Sequence, residues 1–267
     1  MSKLECTQKD VNTNKVNTVG FMEIKNQTEE NADLYLYGDI VRDEWGKWSN
    51  DDVCPQDITN FLKELDNYKN INIFINSGGG SVHGGLAIYN QLKRHSGYKT
   101  VHVDGIAASI ASVIVCAGDK IVVPSTAQFM IHKPSVFGYG SYNADDLRRE
   151  ADALDTCQET ILNVYMSKLK SGVSRDTINN LVNQETWFTG ETVTDYFDFE
   201  IEESMEAVAS ANSNFYAKYK NIPKDFNNKS FFNTQKPTKS KIAEEAKAME
   251  GFENFGKNTY KSYKIFK

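Results

Sequence analysis

At 267 residues the chain is long for one minimal domain and short for two full-sized enzymes, and its 40% apolar and 25% charged residues exclude a disordered or fibrous protein. A formal net charge of −6 leaves no overall nucleic-acid footprint. Cys6, Cys54, Cys116 and Cys157 lie far apart, with no C-x-x-C pair and no zinc or disulfide spacing, so a reducing, cytoplasmic setting without metal or cofactor is expected.

The opening MSKLECTQKDVNTNKVN lacks the apolar core of a signal peptide, and no run approaches the roughly 18–20 apolar residues that cross a bilayer, so neither export nor membrane contact is expected. Residues 1–30 are polar, with only Val19, Phe21 and Met22 to bury, and read as a loose arm. From Asp33 the texture changes. Leu34-Tyr35-Leu36-Tyr37 predicts a strand closed by Gly38-Asp39; a loop with Trp45 and Trp48 leads to Ser49, Asn50 or Asp51 as caps for a helix near 55–66, whose Ile58, Phe61, Leu62 and Leu65 share one face. Ile71 to Ile75 predicts a second strand, ending in Asn76-Ser77-Gly78-Gly79-Gly80 and followed by a helix through Leu86, Ile88, Tyr89 and Leu92. The order repeats with a strand over 100–103, a turn at Asp104-Gly105, a helix over 107–117 and a strand over 120–123. Such alternation predicts an α/β fold with a largely parallel sheet covered by helices.

Another strand is expected over 128–132, then a Gly/Tyr/Ser loop over 136–142 and a long helix from about Asn143 to Leu169. That helix has an alternating-sign surface and apolar positions at Leu147, Ala151, Leu154, Ile161, Val164 and Leu169, so one side packs on something. Past about residue 205 the charge changes sign: from Asn214 onward there are 12 Lys against five acids. The expected organisation is therefore an arm (1–30), a catalytic domain (31–204) and a basic, aromatic-containing flexible extension (205–267), the last a solvated tail, a docking segment or a target of self-processing.

Two glycine-bearing turns sit where a strand hands over to a helix, Asn76–Ser81 and Gly105–Ser109, and both offer backbone N–H groups that suit an anion. A nucleotide phosphate is disfavoured. Gly78-Gly79-Gly80 is not followed by the Gly-Lys-Ser/Thr of a P-loop, nor does it have the G-x-G-x-x-G spacing of a dinucleotide site. The turn is then either a mere tight turn or a holder for the oxyanion of an acyl intermediate. Ala107 and Ala108 let the backbone come close ahead of Ser109, which is either a helix-capping serine or an exposed nucleophile; Ser112 competes but faces the packed side. Of four histidines, His95 sits in a polar turn, His102 within a strand and His83 just after the first glycine turn. His132 ends an apolar strand, where active sites of parallel sheets collect.

Ile75-Asn76-Ser77-Gly78-Gly79-Gly80-Ser81-Val82, Gly105-Ile106-Ala107-Ala108-Ser109-Ile110-Ala111-Ser112 and Met130-Ile131-His132-Lys133-Pro134 resemble, in order and spacing, the oxyanion, nucleophile and histidine blocks of the Clp-protease proteolytic subunit (ClpP) family over about 33–203. The resemblance implies a ClpP/crotonase-like fold of repeated β-β-α units, with Ser109 as nucleophile, His132 as base and the N–H groups of Gly80 and Ile110 as oxyanion hole. Glu185, in Gln184-Glu185-Thr186-Trp187, matches the third triad member, usually Asp, with Asp176 and Asp195 as fallback carboxylates. Gly78 departs from the family's frequent proline.

It further implies a serine endopeptidase, needing no nucleotide for its chemistry, that acts on peptide or protein substrates as a homo-oligomeric ring contacted through the long helix. The third block and the terminal extensions resemble the phage-encoded branch, whose members mature capsids, and this brings in phage capsid or scaffold proteins as partners and a prohead in the host cytoplasm as location. The competing readings are a catalytically silent scaffold of this fold, a crotonase-like acyl-CoA enzyme using the same N–H pair on an enolate, and a Ser–Lys peptidase.

Overall fold

A computed structural model of the chain describes residues 3–9, 16–25, 30–47, 52–64, 68–136, 138, 140–202 and 219–222. Trp48, Ser49, Asn50, Asp51, Leu65 and most of the 205–267 extension lie outside these. Inside the expected loose arm, strands β1 (Lys3–Lys9) and β2 (Val16–Lys25) form an antiparallel hairpin, and β2 pairs with β3 (Asn31–Tyr37) at Ile24↔Leu34 and Lys25↔Asp33. The reading of 1–30 as loose is thus corrected in its backbone: a ladder satisfies N–H and C=O groups of a polar sequence as well as of an apolar one.

Helix α1 (Pro55–Glu64) turns Ile58 and Phe61 inward. Strand β4 (Asn70–Ser77) then lies parallel to β3, its Ile71, Ile73 and Ile75 at most 1% exposed, each burial worth about 1.5–3 kcal/mol. Ser81 caps helix α2 (Val82–Arg94) by accepting from the Gly84 N–H.

Strand β5 (Tyr98–Ala108) runs well past both ends of the expected 100–103, which corrects the turn placed at Asp104-Gly105. The glycine marks a bulge instead: Ile75 pairs with Val103, yet Ser77 pairs with Ala107, so β5 carries two extra residues there. Tyr37 donates a short hydrogen bond to Asp104 at this irregularity. The bulge also divides the strand's neighbours. Below it β5 pairs in parallel with β6 (Lys120–Pro124), above it with β7 (Gln128–Ile131).

Between β5 and β6 runs helix α3 (Ile110–Val115), every residue buried. Helix α4 (Ala144–Met166) opens on a capping box of Asn143 and Asp146. Its buried residues, Gln158, Ile161, Leu162, Val164 and Tyr165, all belong to the second half; Leu147 stands 58% exposed, so the first half projects uncovered. Helix α5 (Arg175–Asn183), strand β8 (Thr186–Thr189) antiparallel to β7, helix α6 (Gly190–Val193) and strand β9 (Glu200–Glu202) parallel to β6 complete a mixed α/β fold with a mainly parallel sheet. Among the described residues no helix is long and apolar enough to cross a membrane.

Candidate active site

Ser109 is the joint between β5 and α3. Its φ of 56° and ψ of −127° lie where a non-glycine residue is rarely held, at a cost of order 1–3 kcal/mol. Among the described residues only one other non-glycine residue has positive φ, and it is Glu185, at 54°. The elbow is held by the Ser109 N–H donating to the Met130 carbonyl (3.0 Å) and the Ser112 N–H donating to the Ser109 carbonyl (3.0 Å). The hydroxyl does not cap its helix, which removes the plain reading of Ser109 as an N-cap. It lies 2.7 Å from His132 Nε2 instead.

That contact follows from strand pairing. Ala108 is in register with Met130, so the residues one and two steps beyond leave neighbouring strands on the same edge. His132 is half-buried. Burial pulls its pKa below the ordinary imidazole value, with the charge of Glu185 working the other way, so at neutral pH the ring is uncharged and able to accept a proton.

The glycine turn packs directly on the elbow. A Cβ on Gly79 would fall 2.6 Å from the Ala108 carbonyl oxygen and 2.7 Å from Ser109 Cβ, and one on Gly80, at φ 144°, would fall 2.0 Å from the Ile40 carbonyl oxygen. Only glycine lets the turn approach this closely. Ile110, the first residue of α3, has an N–H without an intrahelical partner. The two expected oxyanion donors therefore come from segments in contact around Ser109.

The third residue is placed differently. Glu185 borders the same cleft, about 810 Å³ in volume, which is also lined by Ser109, His132 and Gly80. It acts on His132 through its charge but is not hydrogen-bonded to it: Oε1 accepts from the backbone N–H groups of Lys220 and Asn221, each at 2.6 Å. Asp176, in the first turn of α5, and Asp195, after α6, are exposed and away from the cleft. Ser112 is fully buried, its hydroxyl 2.6 Å from Tyr165 OH. His83 is exposed, His95 accepts from the Gly97 N–H, and His102 stacks on Phe74 with centroids 4.9 Å apart. Tyr219, Lys220 and Asn221 also line the cleft, a role that nothing in their local sequence signals.

Elsewhere, ligand atoms of Glu44, Cys54 and Asp57 lie within 4.8 Å of one another. Lys47 Nζ stands 2.8 Å from Asp57 and 3.4 Å from Glu44, and burial pushes the Cys54 thiol up to about 11, so both carboxylates at the start of α1 already share an ammonium partner.

Residues 41–196 match the family model described as Clp protease. Similar proteins include an ATP-dependent Clp protease proteolytic subunit 1 from Chlamydia abortus, 35% identical over 46% of this chain and 64% of the relative. Another is an ATP-dependent Clp protease proteolytic subunit 3 from Streptomyces coelicolor, 33% identical over 54% of this chain and 64% of the relative. The chain thus spans just under two thirds of the length of these relatives. Among solved structures, a mutant ClpP1 from Listeria monocytogenes shares the fold, with a TM-score of 0.53, 23% identity, and coverage of 66% of this chain and 93% of the other.

Proposed function

The chain belongs to the Clp protease family, and from that premise we propose that it is a serine endopeptidase whose nucleophile is Ser109 and whose general base is His132. The observation that carries this reading is the 2.7 Å contact between Ser109 Oγ and a half-buried, uncharged imidazole. A serine hydroxyl is a weak nucleophile until a base takes its proton. In the proposed cycle Oγ attacks the peptide carbonyl carbon while Nε2 accepts the hydroxyl proton. The oxyanion so formed is held by the N–H groups of Gly80 and Ile110. His132 returns the proton to the departing amine, breaking the C–N bond and leaving an acyl-serine. Water, deprotonated by the same ring, then frees the carboxylic acid and restores Ser109.

Glu185 is the proposed third member, stabilising the imidazolium by its charge. No step requires a nucleotide, metal or organic cofactor. The contact also favours a peptidase over a crotonase-like enzyme, which needs no activated serine, over a Ser–Lys enzyme, because the partner of the hydroxyl is a histidine, and over a silent scaffold.

We extend the reading to assembly. The uncovered first half of α4, with Leu147 exposed, supports a ring of identical subunits meeting through that helix. The segments flanking the matched region, 1–40 and 197–267, support the finer reading as a capsid-maturation protease of the phage-encoded branch. Co-expression with a phage capsid subunit tests that finer point, and an uncut capsid subunit would return the chain to general proteolysis.

The direct test of the activity is reaction of the full chain with a fluorophosphonate probe, mapped by peptide mass spectrometry. Labelling at Ser109 that disappears in His132→Ala is the expected result. Absence of labelling in a folded, assembled sample would overturn the peptidase reading and restore the scaffold.

A further inference from the structure

The described residues after 202 are 219–222, and three of them in succession contact the groups assigned to catalysis. Tyr219 enters the cleft side chain first. Its phenol donates to the carbonyl of Gly78 in the glycine turn. Its ring meets that of His132 edge-on, centroids 5.2 Å apart at 84°, and that of Trp187 at 5.7 Å and 72°. The Ser109 hydroxyl lies within hydrogen-bonding reach of the phenol oxygen, and burial raises the phenol's pKa well above its ordinary value, so it stays neutral. The next two residues engage the acid. Both backbone N–H groups donate to Glu185 Oε1, and the Asn221 side-chain amide donates to the Gln184 carbonyl at 2.7 Å.

Each contact opposes the proposed cycle. A serine hydroxyl has a single proton, and the phenol oxygen competes with His132 Nε2 for it. The ring fills the space beside the nucleophile that a substrate's acyl group must enter. Two charge-assisted hydrogen bonds from the backbone hold the Glu185 carboxylate away from His132, where it would orient the ring. The segment is also not seated as a substrate, because the group beside Ser109 is a side-chain phenol, which offers no carbonyl carbon to acylate.

We infer that residues 219–222 are a tethered inhibitor of the chain's own active site: Tyr219 plugs the nucleophile while the backbone of Lys220 and Asn221 sequesters Glu185. The inference rests on the serine-peptidase reading of that site. Because the strap is covalently attached, a substrate peptide competes with an effective concentration rather than with a dilute ligand, and only molecules with the strap released react.

The experiment compares fluorophosphonate labelling rates at Ser109 in the full-length wild type, Tyr219→Ala and Asn221→Pro; the last removes the N–H and amide donors without touching the ring. Both variants are expected to label about tenfold faster or more, the factor by which the strap depletes the competent state. Equal rates in all three chains overturn the inhibitor and leave the peptidase standing; no labelling in any of them overturns both. A second readout is independent of turnover: hydrogen exchange of the Lys220 and Asn221 amides in Ser109→Ala, expected to be slow and to become fast when Tyr219→Ala is added. Fast exchange in Ser109→Ala alone overturns the seat. Intact mass gives the remaining arm. A wild-type chain shortened within 219–222, with Ser109→Ala left whole, would make the segment a substrate and end the inhibitor reading.

Discussion

The corner that holds Ser109 and His132 and the corner that holds Glu185 border one cleft, but they are built on different foundations. The first pair stands at the ends of β5 and β7, adjacent strands whose Ala107, Ala108, Phe129 and Met130 are wholly buried. Glu185 follows the C-terminus of α5, half-buried, and its carboxylate is committed to a distant piece of backbone. Side chains fixed by a buried ladder keep their geometry through any loop rearrangement, whereas one held by a strap keeps it only while the strap is seated. The proposed nucleophile and base are thus permanent parts of the cleft, and the proposed acid is a conditional one.

Perturbations of the two corners are expected to rank accordingly. Ser109→Ala and His132→Ala should each lower peptide hydrolysis by about 10⁶-fold, with either single variant nearly as damaging as the double, because the two act as a unit; additive losses would break the pairing. Gly80→Ala should follow at roughly 10²–10³-fold, since its Cβ meets the Ile40 carbonyl oxygen at 2.0 Å and displaces an oxyanion donor. It would be read as kcat, with little change in KM.

Glu185→Gln is expected to cost less, about 10-fold to 100-fold, well short of the ~10⁴ lost when a carboxylate bound to the imidazole is neutralised. The pH profile gives the sign independently. His132 must be neutral to act, and burial lowers its pKa, so activity should fall on acidification with a midpoint below the ordinary histidine value of 6.5. The charge of Glu185 raises that pKa, so Glu185→Gln should move the acidic limb lower still; a shift upward would show that the carboxylate is not facing the ring. Smallest for activity is Ser112→Ala, expected within about twofold of wild type with probe labelling intact. It would leave the buried Tyr165 hydroxyl short of a partner, at about 1–3 kcal/mol of stability seen in a urea melt.

The same division decides what could be read from the sequence. The permanent corner was legible because it is local: a β-branched run, glycines at the strand-to-helix handover, small residues before Ser109 and a histidine closing an apolar strand each carry a signal within a few positions. Gly105 misled for a physical reason, since a glycine in a strand and a glycine in a turn look alike until the neighbouring strand shows a register shift. The arm misled because composition reports what can be buried and is silent on what a backbone ladder can satisfy. The conditional corner was half legible. Glu185, expected from its block, does line the cleft, but the contact from Tyr219 to Gly78 spans 141 positions, and no periodicity or spacing encodes a pairing at that range. Tyr219 lies within the extension that the sequence offers as a target of self-processing, and we propose for it the other task of covering Ser109.

The pairing of β5 with β7 has a last consequence. Because neighbouring residues of a strand point to opposite faces, sliding one strand by a single position would turn the imidazole away from the hydroxyl altogether. Alignment of His132 with Ser109 is therefore digital: a molecule has the register Ala108↔Met130 and the contact, or lacks it and has none. On heating, such a site should lose working molecules while each survivor keeps its full rate, so that titrated active sites and total activity fall along one curve.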